Sequence, residues 1–342
     1  MEKERIWCLD CLRVLSMLGV IAFHVSKTAL TDFSPSSFEA ALFLSVRKVV
    51  HFVVPVFFMI SGALLLNPRK IITVEYLCKR YLIKYFIILL LFGGGFSCLE
   101  QIFITKTVTI KSILNGINNM IYGESWAHMW YMYALLWVMM LLPILRAAAE
   151  KFQTNEIRYT IIVGIVFISV VGIINAYSGR QIGITYPINF IYCFYMFIGY
   201  WIYNQFFNIN IKLCRIILGI VVVVLIFFGF IDTYGIVNCE MWIGNSSPLI
   251  VIYSVVMFRL GGLLRKKDNP VCNIIINELS KNSFPIYLIH MFWVNVLYKV
   301  VKFNPFFVTP VIGFISAYII VLIFSYMSAV IIRRMPIIKM LF

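Results

Sequence analysis

Charge is what this sequence has least of. Only 13% of its 342 residues are Asp, Glu, Lys or Arg, and only 14 of them are acidic. Soluble domains carry about 25% charged residues, so this scarcity excludes an ordinary soluble fold. Hydrophobic residues make up 62% of the chain, and the mean hydropathy is +0.94. A polytopic protein embedded in a lipid bilayer is expected. The net charge of +15 does not argue for nucleic acid. The basic residues fall between apolar segments, where they set membrane topology.

Paired cysteines are missing too. The eight are scattered, and Cys8 and Cys11 are the only close pair. No second pair stands at zinc spacing, so neither a disulfide framework nor a metal site is expected. There is no phosphate-binding loop of the G-x-x-x-x-G-K type, no H-E-x-x-H and no G-x-S-x-G. There is no fixed-period repeat, and no inverted pair of broken helices of the transporter kind. A cleavable signal peptide needs a clean apolar core. Asp10 and Arg13 interrupt the first apolar run, so that run is expected to persist as a helix.

What is present is a succession of apolar runs. A membrane span takes about 20 mostly apolar residues. Ten segments fit: 7–28, 44–66, 82–104, 126–145, 159–177, 187–206, 213–232, 248–264, 283–301 and 309–332. They predict an all-α fold with one transmembrane domain over 1–342. With the N-terminus in the cytoplasm, 19 Lys and Arg fall on the inner side and 8 on the outer. That bias predicts both termini inside. Loops are expected at 29–43, 67–81, 105–125 and 265–282, the first turning at Ser34-Pro35-Ser36.

The first span carries Asp10, Arg13 and His24. Ionisable groups in a membrane segment are costly and tend to be functional. On an α-helix, eleven steps of about 100° bring His24 back onto the face of Arg13, roughly 16 Å further along. Asp10 lies one turn before Arg13, within reach of it. This suits a long ligand with an anionic head at Arg13 and a reactive end at His24. An interfacial Asp–Arg pair plus a helix-linking His fits equally well.

Other polar groups recur further on. Pro55, then Ser61-Gly62, give the second span a small polar face for a backbone or a ligand. Arg69, Lys79, Arg80 and Lys84 follow on the expected inner side. They suit either phosphates or anionic lipid. Glu124 and His128, at i and i+4, face an expected external pocket beside Trp130 and Tyr131, which also suit interface anchoring. Tyr287 and His290 lie one turn apart in the ninth span. Gly93-Gly94-Gly95 in the third span permits close packing or a kink.

In order, these pieces resemble the acyltransferase-3 family of integral membrane acyltransferases. Arg13 and His24 match its Arg-x10-His signature. FFMISGALLL at 57–66, followed by Arg69 and Lys79-Arg80, is similar to its second. His128-Met-Trp130-Tyr131, with Pro143 later in the same helix, and Tyr287-Leu-Ile-His290 match two more. The resemblance implies transfer of an acyl group, by family habit acetyl, from acyl-CoA (acetyl-CoA) in the cytoplasm. The acceptor it implies is a hydroxyl of a cell-envelope glycan or lipid-linked saccharide outside a bacterial cell membrane. Arg13, Arg69 and Arg80, with Ser61, would hold the donor, and Asp10 would orient Arg13. His24 would be the general base or a transient acyl carrier. Glu124, His128, Trp130, Tyr131, Tyr287 and His290 would meet the acceptor. A carrier for a small polar solute such as an amino acid is the alternative. Neither the acceptor nor the oligomeric state is legible.

Overall fold

The computed structural model describes residues 7–178, 190–205, 209–236, 239, 242–266, 269–307, 309–336 and 340–342, and the side chains at 167, 168 and 176 are also outside it. Lys3, Arg5, Arg180, Lys267 and Lys339, counted above for topology, and the span ends at 187–189 and 206, lie outside the described residues. Among the described residues there is helix and no strand.

The order is α1 (Trp7–Asp32), α2 (Ser37–Val49), α3 (Val53–Leu65), α4 (Val74–Thr105), α5 (Ile110–Ile121), α6 (Trp130–Met140) and α7 (Leu142–Lys151). Then come α8 (Thr154–Gly164), α9 (Val171–Ser178), α10 (Phe190–Tyr203), α11 (Ile211–Thr233), α12 (Pro248–Gly261), α13 (Pro270–Asn295) and α14 (Pro310–Arg334). Helix occupies each of the ten expected segments. By length and composition, five stretches among the described residues are apolar and long enough to cross a membrane: α1, 37–65, α4, α11 and α14. A sixth counts if the pair 127–140 and α7 is one span, bent by 57°. Pro143 therefore stands in the first turn of a new helix, α7, rather than further along one continuous helix. Helices α10 and α12 are apolar but 14 residues each. At 1.5 Å per residue that is about 21 Å, short of a ~30 Å hydrocarbon core.

Several expected loops are helical. Residues 29–43 shrink to a link at 33–36, because Ser36 and Glu39 form a capping box that starts α2 early. Residues 105–125 hold α5, started by a Thr109–Ser112 box. Residues 265–282 hold the first half of α13, where Asn269 caps and Pro270 takes the first turn.

The chain forms two compact units. One comprises Met1–Leu66 with Phe152–Ile332, the other Asn67–Lys151 with Arg333–Phe342. In the first, α10 is buried on every side from Ile191 to Ile202. Its closest neighbour is α3. A Cβ at Gly62 would stand 1.9 Å from the Met196 carbonyl oxygen, and one at Gly199 would stand 2.2 Å from that of Met59. The backbones touch there, so the small face at Gly62 receives another helix. Helices α11 and α14 are only 22% buried over their apolar windows, and their exposed Ile, Val and Phe suit lipid. Lys48 on α2 and Asp232 on α11 form a buried ion pair. Between α2 and α3 the chain tightens into a 3₁₀ turn, Val50–Phe52. Pro55 explains it, since it cannot donate to the His51 carbonyl four residues back.

In the second unit, α4 contains π turns at Cys78–Leu82 and Leu89–Gly94. Ser125 Oγ donates to the Gly93 carbonyl at 2.8 Å. Arg146 ties the 67–70 turn, donating through Nη1 to the Asn67 carbonyl at 3.2 Å and through Nη2 to that of Lys70.

Candidate active site

Helices α1 and α13 lie side by side, joined at two levels. At the first, Arg13 Nη1 donates to Asp10 Oδ1 at 2.8 Å and to Ser280 Oγ at 3.1 Å, and Ser280 Oγ donates to Asp10 Oδ1 at 2.5 Å. At the second, the rings of His24 and His290 are 5.1 Å apart, centre to centre. From 13 to 24 and from 280 to 290 the two helices advance together, so they run parallel over roughly 16 Å. The i, i+3 geometry expected for Asp10 and Arg13, and the shared face of Arg13 and His24, both appear.

Each level has an enclosed and an accessible member. The Asp10 side chain is 5% exposed and that of Arg13 26%. The carboxylate is thus sealed in by its donors, while the guanidinium still reaches the surface. An Arg has five N–H donors in a planar fork, which suits a phosphate. At the other level His290 is fully buried and His24 is half-buried. His290 Nδ1 lies 2.6 Å from the Tyr287 carbonyl oxygen. A carbonyl only accepts, so Nδ1 carries a proton and donates it. Tyr287 packs its ring 5.9 Å from that of His290.

Two residues here carry no clear mark in the sequence. Ser280 sits in a stretch whose composition suggests a loop. His51 joins the histidine cluster through Phe23, whose ring stands 5.2 Å from His24 and 5.8 Å from His51, both edge-on. Arg47 lies over the same Phe23 ring at 5.9 Å. Three of the four histidines in the chain therefore gather in the first unit. Pro55, four residues after His51, is the only sequence signal that marks the place. Ser61 Oγ donates to its own helix at the Phe57 carbonyl, 3.0 Å away.

The remaining expected residues belong to the second unit. Arg69 and Arg80 are exposed, Arg80 beside a shallow cleft with Thr73, Glu75, Tyr76 and Lys79. Glu124 and His128 do not share a helical face. Glu124 is exposed in the turn before the 3₁₀ turn Ala127–Met129, so the i, i+4 relation has no helix to act on. His128 is buried beside Phe96, 5.7 Å between ring centres, and Phe96 stacks on Trp126. Trp130 is partly exposed and Tyr131 buried.

A family model described as an acyltransferase domain, that of the acyltransferase-3 family, matches residues 6–331. No curated protein and no solved structure matches the chain.

Proposed function

The chain belongs to the acyltransferase-3 family, and on that premise we propose that it acetylates a hydroxyl of an envelope saccharide, or a lipid-linked precursor of one, outside a bacterial cell membrane. Acetyl-CoA in the cytoplasm is the donor. The chain crosses the bilayer ten times, the bilayer adapting to the shorter α10 and α12, with both termini in the cytoplasm. One observation carries the reading. A cation and a pair of imidazoles stand at two levels of the same parallel helix pair, α1 and α13. The pantetheine arm of CoA is long and narrow enough to run between those levels.

In this reading Arg13 holds a donor phosphate, and Asp10 and Ser280 fix its guanidinium. Family resemblance alone assigns Arg69, Arg80 and Ser61 to the donor. The acceptor oxygen attacks the thioester carbonyl. A C–O bond forms, the C–S bond breaks, and the hydroxyl proton passes through His24 to the departing thiolate. His290 holds His24 from behind, and Tyr287 fixes His290. Glu124, His128, Trp130 and Tyr131 serve the acceptor.

Mass spectrometry of envelope glycans from cells with and without the protein tests the activity. Added acetyl mass that depends on the protein is expected, and identical spectra would remove the reading. Direction is tested separately. A reporter fused after Phe342 should report from the cytoplasm, and one inserted in 105–125 from outside. The opposite pattern would reverse the direction of transfer.

A further inference from the structure

The first unit holds a cavity of about 470 Å³, within the range of small-molecule sites. Its walls are Cys8 and Leu9 from the start of α1, Tyr203 and Gln205 where α10 ends, and Arg259 and Arg265 where α12 ends. It thus opens at the same end of α1 as Arg13.

Among the described residues, none that lines it is acidic. Among the described residues, neither arginine forms an ion pair with a carboxylate. Helix ends expose carbonyls of partial negative charge, and a cation there can act as a cap. Backbone carbonyls occupy part of each guanidinium, at the end of α12 for Arg265 and just before α11 for Arg259. Arg265 Nη1 donates to the Gly262 and Leu264 carbonyls at 3.2 and 3.5 Å, and Arg259 Nε donates to the Ile209 carbonyl at 3.4 Å. One nitrogen of each is occupied in this way. A cap needs no cavity in front of it, and here two guanidiniums border one. Gln205, just past the end of α10, holds the left-handed backbone common at a helix C-terminus, φ 60°.

We infer that this cavity is a phosphate-binding site, with Arg259 and Arg265 as the cations that hold the group. Phosphate matches paired guanidinium forks better than it matches lysine or hydroxyl donors. Its occupant in the reaction is the nucleotide end of the acyl donor, a step that rests on the acyltransferase reading. The same chemistry has a second source, an anionic phospholipid headgroup.

Binding, not activity, tests the site. The intact protein is placed in nanodiscs of phosphatidylcholine alone and titrated with adenosine 3′,5′-bisphosphate. Wild-type protein should bind, and Arg265→Gln should bind about tenfold more weakly, the scale of one charge-assisted hydrogen bond. Affinity should also fall with salt, because Arg265 is exposed. Arg259→Gln is the second variant, accepted only if its thermal unfolding stays cooperative. In a second arm, nanodiscs doped with phosphatidylglycerol replace the nucleotide. Loss of lipid enrichment in the variants, with no nucleotide binding to any form, would keep the phosphate site and make lipid its source. Affinities for both probes unchanged by either substitution would overturn the inference. Transfer without that binding difference sinks only this site, and binding without transfer sinks only the acyltransferase reading.

Discussion

His24→Ala protein is expected to bind acetyl-CoA nearly as tightly as the parent and to transfer almost none of it. Binding survives because the cation at Arg13 stands three turns away on the same helix, tied to Asp10 and Ser280. Transfer fails because no other described imidazole is both half-exposed and against a second one. His290, its neighbour at 5.1 Å, is fully buried. A positioned general base is worth about 10²–10⁴ in rate. A slow residue of transfer in that range favours a base, and loss to background favours a covalent acyl-histidine. The measurements are calorimetric acetyl-CoA binding and the mass-spectrometric acetyl signal, on the same variant. His290→Phe keeps a ring in the buried slot and removes the nitrogens. It should lower transfer less than His24→Ala, by loosening the His24 ring rather than removing the proton acceptor. Full activity in His24→Ala with loss in His290→Phe would move the base to α13. Full activity in both would clear the histidine pair of any part in the chemistry.

The site is legible in the sequence where one helix determines it and hidden where two do. Asp10, Arg13 and His24 share α1, so the 3.6-residue repeat by itself puts them on one face. That α13 runs parallel to α1 is a contact between residues more than 260 apart, and no local pattern encodes it. Ser280 is masked by Asn277, Glu278, Lys281 and Asn282, which make a helical stretch resemble a loop. The signals that contradict this, Asn269 as cap and Pro270 in the first turn, are short-range and lie in the sequence itself. Likewise Pro143 marks the 57° bend that splits 126–145. His51 is the instructive omission. In sequence it is one polar residue in an apolar run, and only the edge-on Phe23 ring links it to His24. Gly62 is legible as a small face. Its partner is not, because the Met196 backbone on α10 meets it from more than 130 residues away.

Arg13→Ala should lower both donor affinity and stability, and a second substitution separates the two effects. The Asp10 side chain is 5% exposed, so losing Arg13 leaves an enclosed carboxylate short of its counter-ion. For a fully buried pair that costs about 3–5 kcal/mol. Here Arg13 is 26% exposed and Ser280 still donates to Asp10 Oδ1, so about 1–3 kcal/mol is expected. Asp10→Asn removes the charge that suffers, and an Asn amide still accepts from Ser280. The double variant Asp10→Asn, Arg13→Ala should therefore recover most of the thermal unfolding midpoint. It should not recover acetyl-CoA affinity, which loses a charge-assisted contact worth about 10- to 100-fold. Arg13→Lys should keep the Asp10 contact and most of the stability while binding the donor poorly, because a point charge lacks the planar fork. Recovery of donor affinity in the double variant would show that Arg13 holds α1 to α13 and nothing else, and would move the anion-binding role to the arginines elsewhere in the chain.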